Sequence, residues 1–269
     1  YRLGEYTLLI FRPQKRSFLI HPRVVTPGMT RLDAKGIRLS VYAVESRSLR
    51  VSSGLPFAKE FPVAGNQAFL VRHMDKSKAN SWFRLLVHEL FHEHQRLNWE
   101  KPPFPEQCRY PYHDENNVFV AHVEALMLAD MLEAPLAAGP GDRLAFYAAL
   151  RKHRYGLETG SAAQQIEEWE ERVEGSARYV EEMYMFAAGK SSRSKAGKRV
   201  TAYLRTLRPR DLQKWKYYRT GLALAFLAEA AGIHGWKEQC ARGNCLFPYL
   251  LEQLTPALAE LPEEAIAEE

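Results

Sequence analysis

The chain has 269 residues, 46% of them hydrophobic, and a formal net charge of +5. That length suits a sizeable core, as one large domain or two lobes. No apolar run approaches the ~20 residues of a membrane span, and three cysteines are too few for a disulfide framework.

The first 72 residues read as strand-rich. Short β-branched or aromatic runs at Tyr6–Phe11, Ser17–Ile20, Ile37–Val44 and Gln67–Val71 are separated by Pro13, Pro22, Pro27-Gly28 and Gly54. The last run is either a strand that offers its edge to an extended peptide or an ordinary sheet strand. From about Ser77 the spacing turns helical. It predicts helices over Ser77–Trp99, Asn117–Leu132, Asp142–Arg154, Ala162–Ala187, Lys198–Leu207, Leu212–Ala231 and Leu246–Leu261. Strands first and helices afterwards argue for an α+β domain. The expected division is a strand-rich part over residues 1–76, a helical part over 77–261 and an acidic tail over 262–269.

The first predicted helix carries His88-Glu89-Leu90-Phe91-His92. A helix places positions i and i+4 on one face, one turn apart. Two imidazoles at that spacing suit one Zn²⁺, and the glutamate between them suits a proton acceptor for an activated water. The bare pentapeptide is only moderately specific, so its surroundings carry the rest. At about 100° per residue, Phe83, Leu86, Val87, Leu90 and Leu97 share a stripe expected to face the core. His88 and His92 fall on the opposite side, with Trp99 nearby and Glu89 about one step round. The blander reading is an amphipathic helix with two partly exposed histidines. His94 falls on the apolar stripe, which predicts a hydrogen-bonded core histidine rather than a third ligand.

Catalytic zinc usually takes three protein ligands and leaves one position for water. No histidine follows at the H-E-x-x-H-x-x-G-x-x-H spacing, which disfavours that subclass and points to a carboxylate from a later helix. Two compete. Glu124 is the lone carboxylate in the apolar run Val120–Leu128. If buried it needs a metal or a charge-assisted partner, or it orients a ligand histidine. Glu174 opens the segment Glu174-Gly175-Ser176-Ala177-Arg178-Tyr179. Its competing role is a surface salt bridge to Arg178. Glu170 and Glu174 flank the stripe Ile166, Trp169, Val173 and Ala177, at the edge of the buried face. Gly175 lies mid-helix, where glycine costs ~1 kcal/mol relative to alanine. It therefore signals close packing or a local break. Glu174 ranks ahead of Glu124.

Lys190 to Lys216 holds much of the basic charge, and Lys190–Lys198 reads as a solvated, mobile loop. No aromatic interleaving or recognition motif accompanies it, so no nucleic-acid partner is expected. Cys240 and Cys245 are close enough in sequence to bridge, with Cys108 left over; a fully reduced set is an equal reading.

His88–His92 followed far downstream by Glu-Gly-x-Ala-x-Tyr at Glu174–Tyr179 resembles gluzincin-type zinc metallopeptidases. The stretch Val87–Gln95 is similar to the H-E-x-F-H-x-x-Q variant of bacterial zincin-like proteins. The resemblance covers about residues 60–230 and rests on those two motifs. The G-x-M-E-N and N-E-x-x-S-D elements of two large groups are missing. The resemblance implies a zincin-like α+β fold, with a mostly antiparallel N-terminal sheet ahead of the helical lobe that carries the motif helix. It also implies one Zn²⁺ per chain on His88, His92 and Glu174, and a peptide or protein substrate. Glu89 would take the proton of the attacking water and pass it to the leaving amine. An oxyanion donor is required as well. Tyr217 and Tyr218 are the candidates, and Tyr218 is preferred because Gly221 would let its helix approach the site closely. The alternative is a packed aromatic pair. Export signals are common in such proteins, which implies a secreted or periplasmic setting. Two other functions stay open. One is a metal-dependent amidase for a cell-wall or other small amide. The other is a zincin-shaped binding protein without catalysis, which the intact Glu89 argues against.

Overall fold

Alternation of side chains across the pleat builds the N-terminal sheet. The computed structural model describes residues 6–258 apart from 13–15, 34–38, 47–48, 50, 52–56, 73–78, 101–109, 112, 134–140, 158–159, 209–210 and 212–214. The predicted starts at Ile37, Ser77 and Leu212, together with Cys108 and the acidic tail, lie outside the described residues. Two compact units are present, Tyr1–His94 and Gln95–Glu269.

In the first unit, β1 (Leu8–Phe11), β2 (Arg16–Ile20), β3 (Thr30–Leu32), β4 (Val41–Glu45), β5 (Phe57–Val63) and β6 (Asn66–Arg72) form one sheet in the order β3-β4-β2-β1-β6-β5. β1 and β6 run parallel, and the other neighbours are antiparallel. Successive residues go to opposite faces. Leu9, Phe11, Leu19, Val44, Ala68 and Leu70 pack together on one face. On the other, Leu8, Phe69 and Val71 pack against Leu86 and Leu90 of helix α1 (Ala79–Asn98). The two-residue turn Ala64-Gly65 has positive φ at both positions, 48° and 78°, the backbone whose twist suits a tight hairpin. It joins β5 to β6. β6 therefore lies between β1 and β5 with both edges paired, so it is the ordinary sheet strand and not an open edge for a peptide. Sequence periodicity passes over β3 and β5 for physical reasons. β3 has only three residues, and Pro62 sits in β5, which an outer strand tolerates and an inner one does not.

The second unit holds α2 (Glu115–Glu133), α3 (Gly141–Tyr155), α4 (Gly160–Glu170), α5 (Ser176–Ala187), α6 (Arg193–Arg205), α7 (Trp215–Ala230), α8 (Trp236–Ala241) and α9 (Leu246–Leu258). Leu222 through Ala228 of α7 are all buried. A helix apolar all round belongs at the centre of a core, and α2, α4, α5, α6 and α9 all pack on α7. The long predicted helix over Ala162–Ala187 is α4 and α5 joined by a π-helical turn, Glu171–Gly175.

Two expectations change here, and one helix is new. Arg193–Lys198 is the start of α6 and not a loop, because the Ser192 hydroxyl accepts from the Lys195 amide at 3.3 Å and caps the helix. Leu97 is 56% exposed and does not belong to the buried stripe of α1. The short helix α8 lies between Gly235 and Gly243, whose positive φ values of 83° and 96° end it on both sides.

Candidate metal centre

Helical spacing alone brings the two motif histidines together. His88 is buried, and His92 and Glu89 are half-buried. The rings of His88 and His92 meet edge to face with centroids 4.6 Å apart, and their Nε2 atoms stand 3.0 Å apart. Val87, Leu90 and Phe91 of the same stretch of α1 are buried, so His88 is less exposed than the blander reading has it, while His92 keeps the partial exposure it expects. His94 is half-buried and stacked on Phe91 at 5.7 Å between centroids.

Among the described residues, His88, His92 and Glu174 bring three ligand-capable atoms within 4.8 Å of one another. Two nitrogens, each ~2.0 Å from a tetrahedral zinc, stand about 3.3 Å apart. The 3.0 Å between the Nε2 atoms is close to that edge. Two imidazoles and one carboxylate are also the donor set that leaves a fourth position open on catalytic zinc. The residues present therefore fit the ion.

Glu174 owes its place to the π-helical turn. In an unbroken helix Glu167, Glu171 and Glu174 would share one face, since they are spaced by four and three residues. A π turn widens the helix, and Glu174 leaves that line. Glycine lets the turn pack closely against α7. A Cβ on Gly175 would lie 2.6 Å from the Gly221 Cα, and one on Gly221 would lie 2.7 Å from the Gly175 Cα. Close packing and a local break, the two alternatives for Gly175, are thus both present. Gly221, expected to bring α7 up to the site, brings its backbone against Gly175, the residue after Glu174. Above the turn, the buried Gln95 donates from Nε2 to the Val173 carbonyl at 3.0 Å and the Ser176 hydroxyl at 2.9 Å. The Ser176 hydroxyl in turn donates to the Arg172 carbonyl. The Arg172 side chain reaches the carbonyls of Cys240 at 2.7 Å and Glu100 at 2.6 Å, and lies over the Trp99 ring.

Glu124, the competing third ligand, has a different partner. It is 1% exposed and receives Nε and Nη2 of Arg154 at 2.5 and 2.8 Å. The charge-assisted partner that its burial demanded is a guanidinium, not a metal or a ligand histidine. Arg154 also reaches Glu167 at 2.6 Å and the Asn117 side chain at 2.9 Å. Arg151 joins Glu167 at 3.1 Å and Glu171 at 2.9 Å, and Lys216 joins Glu167 at 2.6 Å. Three acids and three cations thus share one buried network. Burial by itself would raise the Glu167 carboxyl. Arg154, Lys216 and Arg151 outweigh that and hold it well below the ordinary carboxylate value. Burial pulls the Lys216 ammonium down, against the opposing pull of Glu167.

Arg178 does not pair with Glu174; its guanidinium contacts Glu181 at 2.5 Å and Glu182 at 3.8 Å. Tyr179, the last residue of the Glu-Gly-x-Ala-x-Tyr segment, donates to Glu229 and stands edge-on to Trp236 at 5.0 Å. Tyr217 is fully buried, edge-on to Tyr110 at 6.3 Å, as the packed-aromatic alternative has it. Tyr218 is half-buried. Cys240 and Cys245 are free thiols, pushed up by burial to about 12 and about 11. Sequence reasoning assigns no role to Gln95 or Ser176, because glutamine and serine carry no charge pattern; the glutamine of H-E-x-F-H-x-x-Q is the available signal.

Among the described residues, no helix is long and apolar enough to cross a membrane. Comparison with protein-family models, with curated proteins and with solved structures gives no match.

Proposed function

We propose that the protein is a zinc-dependent peptidase of zincin-like fold that hydrolyses peptide bonds in a peptide or protein substrate. The observation that supports this is the convergence of His88, His92 and Glu174 beside Glu89. His88, His92 and Glu174 would hold one Zn²⁺ per chain. The bound ion would supply Lewis acidity, which polarises the scissile carbonyl and acidifies a water. Glu89 is the general base. It follows His88 directly and so points about 100° away from it round the helix, which keeps its carboxylate off the ligand set and available for a proton. It takes that proton from the attacking water and returns it to the leaving amine. Tyr218 is the donor proposed for the oxyanion. A secreted or periplasmic setting goes with this reading.

Glu89→Gln keeps size and hydrogen bonding and removes the proton acceptor. Zinc content by elemental analysis is expected to stay near one per chain, while cleavage of casein or a peptide library falls by ~10²-fold or more. Undiminished cleavage in that variant would overturn the assigned base. A wild-type protein that holds zinc and cleaves small amides but no peptide would be an amidase, and one that cleaves neither would be a binding protein.

A further inference from the structure

We infer that Gln95 is the positioning residue of this centre: its side-chain amide clamps the π-helical turn and so sets where Glu174 stands. The inference rests on the zinc reading above and concerns how the third ligand is held. Gln95 lies three residues after His92 on the same helix, α1. It is buried, and its two acceptors, the Val173 carbonyl and the Ser176 hydroxyl, bracket Glu174 in the chain. A π turn spreads its backbone hydrogen bonds and is uncommon for that reason. Outside donors make up for this here. Gln95 serves the Val173 carbonyl, and the Ser176 hydroxyl serves the Arg172 carbonyl.

The rest of the turn is pinned from other sides. Arg151 holds the Glu171 carboxylate at 3.1 and 2.9 Å, and Thr220 donates to it. Arg172 is tied to two carbonyls, and Gly175 abuts Gly221. Those anchors come from α3, α7, α8 and Glu100. Gln95 reaches the turn from the last turns of α1. A ligand that must meet two histidines on α1 is best placed by a tether that starts from α1. An amide of this length supplies two uncharged donors on one nitrogen to a carbonyl and a hydroxyl; a carboxylate there would set oxygen against the Val173 carbonyl.

The test is zinc affinity, measured by competition with a chromogenic chelator, in Gln95→Leu, Glu174→Ala and the double variant. Helix content and melting of the metal-free proteins are followed alongside. Gln95→Leu is expected to weaken zinc binding ~10- to 100-fold, the usual cost of losing a group that orients a ligand. In the Glu174→Ala background the same change is expected to cost nothing further in affinity, because the residue it positions is gone. A glutamine that merely stabilises the fold would lower melting equally in both backgrounds and leave zinc affinity alone. If Gln95→Leu fails to fold, Ser176→Ala removes one acceptor and is expected to weaken zinc binding several-fold, with the same dependence on Glu174. Unchanged affinity in Gln95→Leu, or an equal loss with and without Glu174, overturns the positioning role and leaves the zinc site standing. A wild-type protein that binds no zinc, or Glu174→Ala at undiminished affinity, overturns the zinc site and this inference together.

Discussion

Glu167 and Glu171 stand one turn apart on the helix that also carries Glu174, and the three carboxylates end in different company. Glu167 and Glu171 meet Arg151, Arg154 and Lys216, which are cations by their own chemistry. With Glu124 the acids number three and the cations three, so that group is balanced without any outside ion. Glu174 lies instead with two imidazoles, His88 and His92. Imidazoles ligate metals in the neutral form, so this group offers two nitrogens and a negative oxygen and no built-in cation among its three members. The lesson concerns buried carboxylates in general. Burial says only that a partner exists; for Glu124, Glu167 and Glu171 that partner is a cation of the chain itself.

Breaking the balanced group is expected to produce the largest stability effect. Arg154→Met keeps length and removes the charge that Glu124 and Glu167 share. Leaving buried carboxylates short of a partner typically costs ~3–5 kcal/mol. Urea denaturation of the metal-free protein checks this. A loss below about 1 kcal/mol, the scale of an exposed ion pair, would mean that the network is wet and the contrast with the histidine group false.

A smaller effect probes the turn that separates the two groups. By helix propensity alone, Gly175→Ala would stabilise by ~1 kcal/mol. Here its methyl group would meet the Gly221 backbone, which cannot move aside as a flexible side chain can. The expected sign is therefore reversed, with a loss of about 1–3 kcal/mol from overpacking. Zinc affinity is expected to fall too, because the turn carries Glu174. A variant more stable than wild type, read by the same denaturation, would remove the glycine contact as the reason for the turn.

How much of this was legible beforehand follows from the range of each signal. His88, Glu89 and His92 lie within a single turn or so, and the period of a helix is enough to bring the imidazoles together. Glu174 was reached through its motif, whereas the helical wheel left it at the margin of the buried face. The wheel assumes 3.6 residues per turn, and the π turn at 171–175 breaks that assumption; only Gly175 hinted at it. Glu124 was correctly expected to need a charge-assisted partner or a metal, but Arg154 lies 30 residues away and nothing local selects it. Nothing local marks Arg151 and Arg154 of α3 as buried, since long charged residues are almost never fully buried without partners. The same limit hid β3 and β5, whose pairing with β4 and β6 stabilises segments too short or too polar to declare themselves.

The slightest of these effects is a slope, and it separates the two groups by acid. Glu167 is held well below the ordinary 4.5, its burial outweighed by Arg154, Lys216 and Arg151. A carboxylate depressed in the folded state binds fewer protons there than in the unfolded chain at the same pH. Its contribution to stability is therefore complete above 4.5 and is lost as pH falls below 4.5 through the folded value. One such group contributes at most about 1.4 kcal/mol per pH unit to the slope of stability against pH. Metal-free wild-type protein should lose stability below that point with Glu167 contributing to the slope. Glu167→Gln should be less stable near neutrality, where the network is intact in wild type, and shallower on the acid side by up to one proton. Denaturation curves between pH 7 and about pH 3 measure both. Parallel slopes would show that Glu167 is not held down by its three cations, and the self-balanced character of that group would lose its firmest support.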